Sequence, residues 1–138
     1  EHLNENGVMV VNMNMRGNNE GNINQYLSDT IASVFDHIVT VDVDGSTNRE
    51  LYASSNADMV KTLENNANET GHSDLRDMML HVADTSSVYE AGDYIMTDDK
   101  APVELLGMQV IDQLIQGEVA YYKDIFEKDG INGLLESL

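Results

Sequence analysis

The fold of this chain starts from residues 7–15, which read GVMVVNMNM. The first part of this stretch is almost continuously apolar, and Gly7 and Gly17 bound it with residues that interrupt regular structure. A short apolar run between such boundaries is typical of a β-strand buried on both faces. We therefore expect a strand that is covered on both faces and has a neighbouring strand on each edge.

A helix and two more strands are predicted next. Asn22 is a candidate N-cap, and the apolar residues after it recur at the spacing of one helical face. That face comprises Ile23, Tyr26, Leu27, Thr30, Ile31, Val34 and Phe35. Residues 37–43 and 49–54 favour strands, and Asp44-Gly45-Ser46 between them has the composition of a turn. This order predicts an α/β protein with a short parallel unit and a hairpin.

The second half of the chain is predicted to be mostly helical. Helices are expected at about residues 56–66 and 73–82, with a brief extended piece at 93–96. A long helix is expected after Pro102, and Gly130 is expected to end it. No repeat and no obvious linker divide the sequence, so we expect one domain or one piece of a larger domain.

The net charge of the chain restricts the classes of partner that it is expected to bind. It has 7 basic and 25 acidic residues, which gives a formal net charge of −18 at pH 7. Binding to nucleic acid or to anionic lipid requires clustered Lys and Arg, so we expect neither partner. An acidic surface attracts cationic small molecules, although the same charge also serves solubility alone.

Several absences in the sequence also restrict the chemistry. There is no cysteine, which excludes disulfides, thiol catalysis and cysteine-ligated metal. No apolar run approaches the ~18 residues of a membrane span, so we expect no membrane contact by this segment. Residues 1–7 lack the basic and apolar regions of a signal peptide, and we expect a cytoplasmic location.

No established motif assigns a catalytic or metal-binding residue. The four histidines are scattered without HExxH spacing, so we expect no metal site. GxGxxG, GxxxxGK[ST] and GxSxG are also absent. The most suggestive polar group is the adjacent pair Asp98 and Asp99. Two carboxylates suit an amine or a metal, and acidic residues before a helix also serve as ordinary caps.

Three segments together resemble one family. Residues 4–12, NENGVMVVN, are similar to a strand late in S-adenosylmethionine-dependent methyltransferase-like folds. Residues 39–54, VTVDVDGSTNRELYAS, resemble the terminal β-hairpin of spermidine synthases. Residues 95–104, IMTDDKAPVE, resemble the LTDDRAPVE stretch of bacterial spermidine-synthase-like proteins, and this similarity is the most specific. Some of those proteins are fused to a membrane domain.

The resemblance implies that residues 1–138 are the C-terminal portion of a Rossmann-like methyltransferase fold. It implies a short mixed sheet ending in an antiparallel hairpin, then a helix-rich second half, without the N-terminal cofactor-binding half. The family reaction moves an aminopropyl group from decarboxylated S-adenosylmethionine to a diamine, in polyamine biosynthesis. No catalytic residue of the family falls in this chain, so the fragment alone is expected to be inactive.

The resemblance also implies substrate-binding residues. In the family the hairpin turn lines the amine pocket, and carboxylates hold the diamine cation. The corresponding residues here are Gly45, Ser46, Thr47, Asn48, Asp98 and Asp99. The family turn often reads Pro-Ser-Gly-Gln, whereas this turn has neither the Pro nor the Gln, which places putrescine specificity in question.

Two alternatives remain open from the sequence. The chain could belong to an S-adenosylmethionine-dependent methyltransferase or use another amine acceptor. It could instead be a non-catalytic acidic interaction domain that keeps part of the fold. In either case the strand at residues 8–15 would have one edge unpaired, because its neighbour in the methyltransferase-like order is missing. We therefore expect a homodimer or larger homo-oligomer joined through that strand.

Overall fold

A computed structural model describes residues 3–13, 20–99 and 103–136. The chain divides into two compact units, Glu1–Lys100 and Ala101–Leu138. The first unit contains four strands and three helices among its described residues, and the second is a long helix. The elements are β1 (Met9–Met13), α1 (Ile23–Ala32), β2 (His37–Asp42), β3 (Arg49–Ser54), α2 (Met59–Glu69), α3 (Ser73–Thr85), β4 (Ser87–Val88) and α4 (Val103–Glu136).

The four described strands form one sheet in the order β1-β3-β2-β4, and every neighbouring pair is antiparallel. The α/β class and the hairpin are therefore confirmed, but the predicted parallel unit was wrong for the described strands. β1 and β2 run in the same direction without pairing, because β3 returns from the hairpin and lies between them. Leu51 of β3 accordingly faces Val11 on one side and Thr40 on the other.

One face of the sheet packs against α1 and forms the core. Met13, Ile38, Leu51 and Ala53 are buried there, and the partly buried side chains packed against them are Met9, Val11, Ile31, Ala32, Phe35 and Tyr89. The prediction that the first strand is buried on both faces was wrong. Val10 is 54% exposed, because the strand's second face is only partly covered in the described part of the chain.

The predicted start of α1 is confirmed, and Ile31 and Phe35 of its predicted apolar face pack against the core. Asn22 Oδ1 accepts hydrogen bonds from the backbone N–H groups of Asn24 (2.9 Å) and Gln25 (3.1 Å). The buried residues of the helix are Ser28 and Asp29, whereas Val34, just after it, is 73% exposed. The two most buried residues of the helix are therefore polar, and the buried partners of Asp29 are described below.

The helices of the second half follow the sequence prediction with shifted ends. α2 and α3 pack against each other and end later than expected, at Glu69 and Thr85. The fourth strand, β4, was not predicted: it lies at Ser87–Val88, before the extended piece predicted at residues 93–96. Its two exposed residues are a strand because they pair with β2, where Val88 faces Val39.

The second unit is dominated by α4. Gly130 has φ 64° and ψ −155°, a conformation open in practice only to glycine, and it breaks the helix at the residue that was predicted to end it. Helical structure resumes after it and continues to Glu136. Large apolar side chains are exposed along this helix, including Met108, Ile115 and Phe126. Among the described residues, no helix has the length and apolar character needed to cross a membrane.

Candidate functional site

The carboxyl-terminal ends of β1 and β2 lie at the same end of the sheet. Met13, the last residue of β1, faces Arg49, and Arg49 faces Asp42, the last residue of β2. The turn between β2 and β3 lies at this end of the sheet. Because the sequence predicts that Gly45 to Asn48 in this turn bind substrate, this end of the sheet is the candidate functional site.

The hairpin turn brings the four residues predicted for it together. The backbone N–H of Ser46 donates to Val43 O (3.2 Å), and the N–H of Val43 donates to Asn48 O (3.1 Å). Ser46 Oγ accepts from the Asn48 N–H at 3.1 Å. Gly45 has φ +67°, which favours glycine, and Gly45 and Thr47 are exposed. The turn is thus an ordered loop that can present polar groups to a ligand.

An ion pair closes the base of this turn. Arg49 Nε donates to Asp42 Oδ1 at 2.6 Å, and Arg49 Nη2 donates to Asp42 Oδ2 at 3.2 Å. This hydrogen bonding to Asp42 raises the pKa of Arg49 above its ordinary value, against a smaller opposing effect of burial. This bidentate pair joins the facing residues at the ends of β2 and β3 beside the turn.

Asp29 is a buried carboxylate that sequence reasoning missed. Its side chain lies in α1 and is 1% exposed. Asp29 Oδ1 accepts from the Tyr89 hydroxyl (2.7 Å) and from the Gly92 N–H (2.9 Å), and Oδ2 accepts from the Tyr94 N–H (2.9 Å). A Cβ at Gly92 would lie 2.8 Å from Oδ2, so this close approach requires glycine. The carboxylate therefore fastens residues 89–94 to α1.

Tyr89, which donates a hydrogen bond to this carboxylate, also interacts electrostatically with Arg49 of the ion pair. Burial and the hydrogen bond to Asp29 together raise the pKa of Tyr89 to about 12, although a hydrogen bond with Ser28 and the positive charge of Arg49 oppose this rise. The hydroxyl therefore stays protonated at neutral pH and acts as a hydrogen-bond donor. On β3, burial and a hydrogen bond to Glu50 likewise raise the pKa of Tyr52.

The predicted acidic pair comes shortly after residues 89–94, which donate hydrogen bonds to Asp29. Thr30 Oγ1 accepts from the Met96 N–H at 2.8 Å, so α1 also holds the end of this segment. Asp98 and Asp99 come next and are exposed. α4 begins only at Val103, and residues 100–102 lie outside the described part of the chain. Substrate binding by the acidic pair and by the turn stays a prediction.

The two described clefts of the first unit lie away from the turn. A cleft of about 400 Å³ opens at the amino end of β2, where Asp36, His37 and Tyr89 contribute to its lining. A second cleft of about 300 Å³ is more apolar and lies between the sheet and the helices α2 and α3. Among the described residues, no group of three or more acidic or histidine side chains is arranged to hold a metal ion.

The described structure defines an α/β unit with a polar hairpin turn at the end of its sheet. A comparison with known proteins agrees with the resemblance seen in the sequence. Along its whole length the chain is similar to the "Probable polyamine aminopropyl transferase" of Bifidobacterium longum (strain NCC 2705), with 44% identity over 155 residues. The resemblance to spermidine-synthase-like proteins is thereby confirmed. The chain spans only 35% of that relative.

Two further comparisons found no relative. No family model matches the chain. No solved structure matches it.

Proposed function

We propose that this chain is the C-terminal part of an aminopropyltransferase of polyamine biosynthesis. In this reaction a neutral amine nitrogen of a diamine bonds to the propyl carbon next to the sulfonium of decarboxylated S-adenosylmethionine. The carbon–sulfur bond breaks, its electron pair stays on sulfur, and the amine nitrogen loses a proton to a base. The observation that carries the proposal is the 44% identity of the entire chain to a third of a protein named for this activity.

The fold and charge support the same proposal. β1 is followed by a helix and then by a hairpin whose returning strand pairs with β1, as in the terminal part of the methyltransferase-like order. The net charge of −18 suits a diamine, which is a dication at neutral pH. The chain contains no Gly-rich nucleoside loop, so we assign donor binding and amine deprotonation to the remainder of the longer protein.

We assign diamine binding in this chain to two elements. The hairpin turn, Gly45 to Asn48, supplies a wall of the amine pocket with exposed backbone and hydroxyl groups. Asp98 and Asp99 supply carboxylates for an ammonium group. Because the turn lacks the Pro and Gln of the family pattern, we propose a diamine acceptor that need not be putrescine.

A chimera tests the proposal directly. The aligned segment of the Bifidobacterium longum relative is replaced by these 138 residues, and aminopropyl transfer to putrescine and longer diamines is measured. We expect the chimera to transfer the aminopropyl group. A folded chimera that binds the donor but transfers nothing would refute the proposal. Supplying S-adenosylmethionine in place of the decarboxylated donor separates the methyltransferase alternative, since methyl transfer would then be observed.

The role of the acidic pair is tested in the same chimera. Asp98→Asn and Asp99→Asn remove one carboxylate charge each and should raise KM for the diamine about tenfold, because a charge-assisted hydrogen bond to the ammonium is lost. kcat should change little. Asp93→Asn, an exposed acid on the same segment, is the matched control and should leave KM unchanged. Unchanged KM in both variants would remove the pair from the amine site.

A further inference from the structure

One side of α1 contacts residues 89–96, the segment that leads to the acidic pair. Asp29 and Thr30 lie three and four residues after Tyr26, so the three side chains share one side of the helix. The ring of Tyr26 packs edge-on against Tyr94, with 5.0 Å between the ring centroids. Asp29 accepts the three hydrogen bonds described above, and Thr30 accepts one more. The segment is therefore held to α1 at several points along its length.

The hydroxyl of Thr30 makes the contact nearest to the acidic pair. Its Oγ1 donates to Tyr26 O at 2.6 Å and accepts from the Met96 N–H at 2.8 Å. A hydroxyl has one proton to donate and two lone pairs, so both bonds form at once. Met96 is two residues before Asp98, and two residues span at most about 7 Å of extended chain. The pair therefore starts from a backbone position that α1 fixes.

The acidic pair depends on this backbone for its position. The side chains of Asp98 and Asp99 are exposed, so burial does not hold them in place. A segment that becomes ordered only when its ligand binds weakens the affinity by the cost of ordering. A segment that is ordered beforehand avoids that cost. Contacts that hold residues 89–96 on α1 would therefore strengthen binding of a ligand by the pair.

The same part of α1 lies at the end of the sheet that carries the hairpin turn. Ser28, the residue before Asp29, donates from Oγ to Met13 Sδ at 3.5 Å. Met13 is the last residue of β1 and faces Arg49, the first residue after the turn that belongs to β3. α1 is thus joined to the candidate site beside the residue that accepts hydrogen bonds from the segment.

We propose that Asp29 and Thr30 are positioning residues for amine binding, because they hold on α1 the backbone that carries the carboxylates of Asp98 and Asp99. This inference rests on the proposed function, since it takes the acidic pair as the site of the ammonium group. Neither positioning residue contacts the amine. Loss of either contact should therefore weaken diamine binding and leave both donor binding and the transfer step nearly unchanged.

Two substitutions of Thr30 test this inference in the chimera. Thr30→Val removes the hydroxyl and keeps the branched shape, and it should raise KM for the diamine about fivefold, as expected for one lost hydrogen bond. kcat and KM for the donor should stay within about twofold of wild type. Thr30→Ser keeps the hydroxyl and should retain the wild-type KM. Thr85→Val is the matched control, because Thr85 Oγ1 makes the same intrahelical bond, to His81 O at 2.7 Å, in α3. It should leave KM unchanged.

A double-variant cycle separates positioning from a general structural effect. Combined with Asp98→Asn and Asp99→Asn, Thr30→Val should add less than about twofold to KM, because positioning acts through the carboxylate charges already removed. A general structural effect would add its full factor. Hydrogen exchange of the Met96 amide should accelerate in Thr30→Val and not in Thr30→Ser, which measures release of the segment independently of activity.

Asp29→Asn provides a second variant if Thr30→Val does not fold. The amide cannot accept all the hydrogen bonds that the carboxylate accepts, so KM for the diamine should rise in this variant also. If Asp98→Asn and Asp99→Asn raise KM but Thr30→Val and Asp29→Asn do not, the positioning role is overturned and the amine site stands. If Asp98→Asn and Asp99→Asn leave KM unchanged, the assignment of the amine site fails, and this inference fails with it.

Discussion

Asp29 is the residue on which the packing of residues 89–94 depends. Asp29→Asn keeps the shape but replaces one acceptor oxygen by an NH2 donor, which then faces an N–H or O–H donor. We expect the free energy of unfolding to fall by about 2 kcal/mol, because a buried donor loses its partner. Urea denaturation measures this loss. Asp36→Asn changes an exposed acid and should stay within about 0.5 kcal/mol of wild type. Equal effects of the two variants would contradict a structural role for Asp29.

Tyr89 makes stability depend on pH in the alkaline range. The folded chain raises the pKa of Tyr89 to about 12, chiefly through burial, whereas an unfolded tyrosine titrates near about 10. The unfolded chain therefore loses its proton first, so the stabilisation is complete below about pH 10 and is lost as the pH rises toward 12. Urea unfolding across this range should give a shallower decline for Tyr89→Phe than for wild type. Tyr121→Phe, at an exposed position, should decline like wild type.

The hairpin, at the scale of the element, depends on one backbone conformation. Gly45 has φ +67°, and no atom lies within 4 Å of a Cβ added there. Gly45→Ala should therefore cost about 1–2 kcal/mol through backbone strain alone. Gly71→Ala is the matched control, because it also has open space around the added Cβ but no positive φ. It should be neutral or slightly stabilising. Thermal melts compare the two, and a neutral Gly45→Ala would mean that the turn relaxes.

At the scale of the whole molecule, the prediction concerns transferase activity of the isolated chain. The chain supplies a hairpin and an acidic pair, but catalysis of group transfer requires donor and acceptor to be held together. The isolated 138 residues should therefore show no transfer from either donor to putrescine or another diamine. Product formation is followed by mass spectrometry, with the intact Bifidobacterium longum relative as the positive control. Turnover by the isolated chain would mean that it contains a donor site with no recognised motif.

The sequence by itself determined the kinds of element and the relationship to known proteins. Apolar runs and helical periodicity predicted β1, α1, the hairpin and the helices of the second half. Asn22 was predicted as a cap, and Gly130 as the end of the long helix, because capping and positive φ are local preferences. The TDD-APVE stretch and the hairpin carried the resemblance that the comparison confirmed.

Only the tertiary structure decided which elements are neighbours. The hydrophobic pattern of the sequence indicates that a strand is apolar, but it does not indicate which strand lies beside it. The position of β3 between β1 and β2 was therefore missed. For the same reason β1 was predicted to be covered on both faces. The burial of Asp29 in α1 was also missed, because an aspartate is expected from sequence to be solvated. Its burial is stabilised by a hydroxyl and two backbone N–H groups about 60 residues away in the chain, and that pairing exists only after folding.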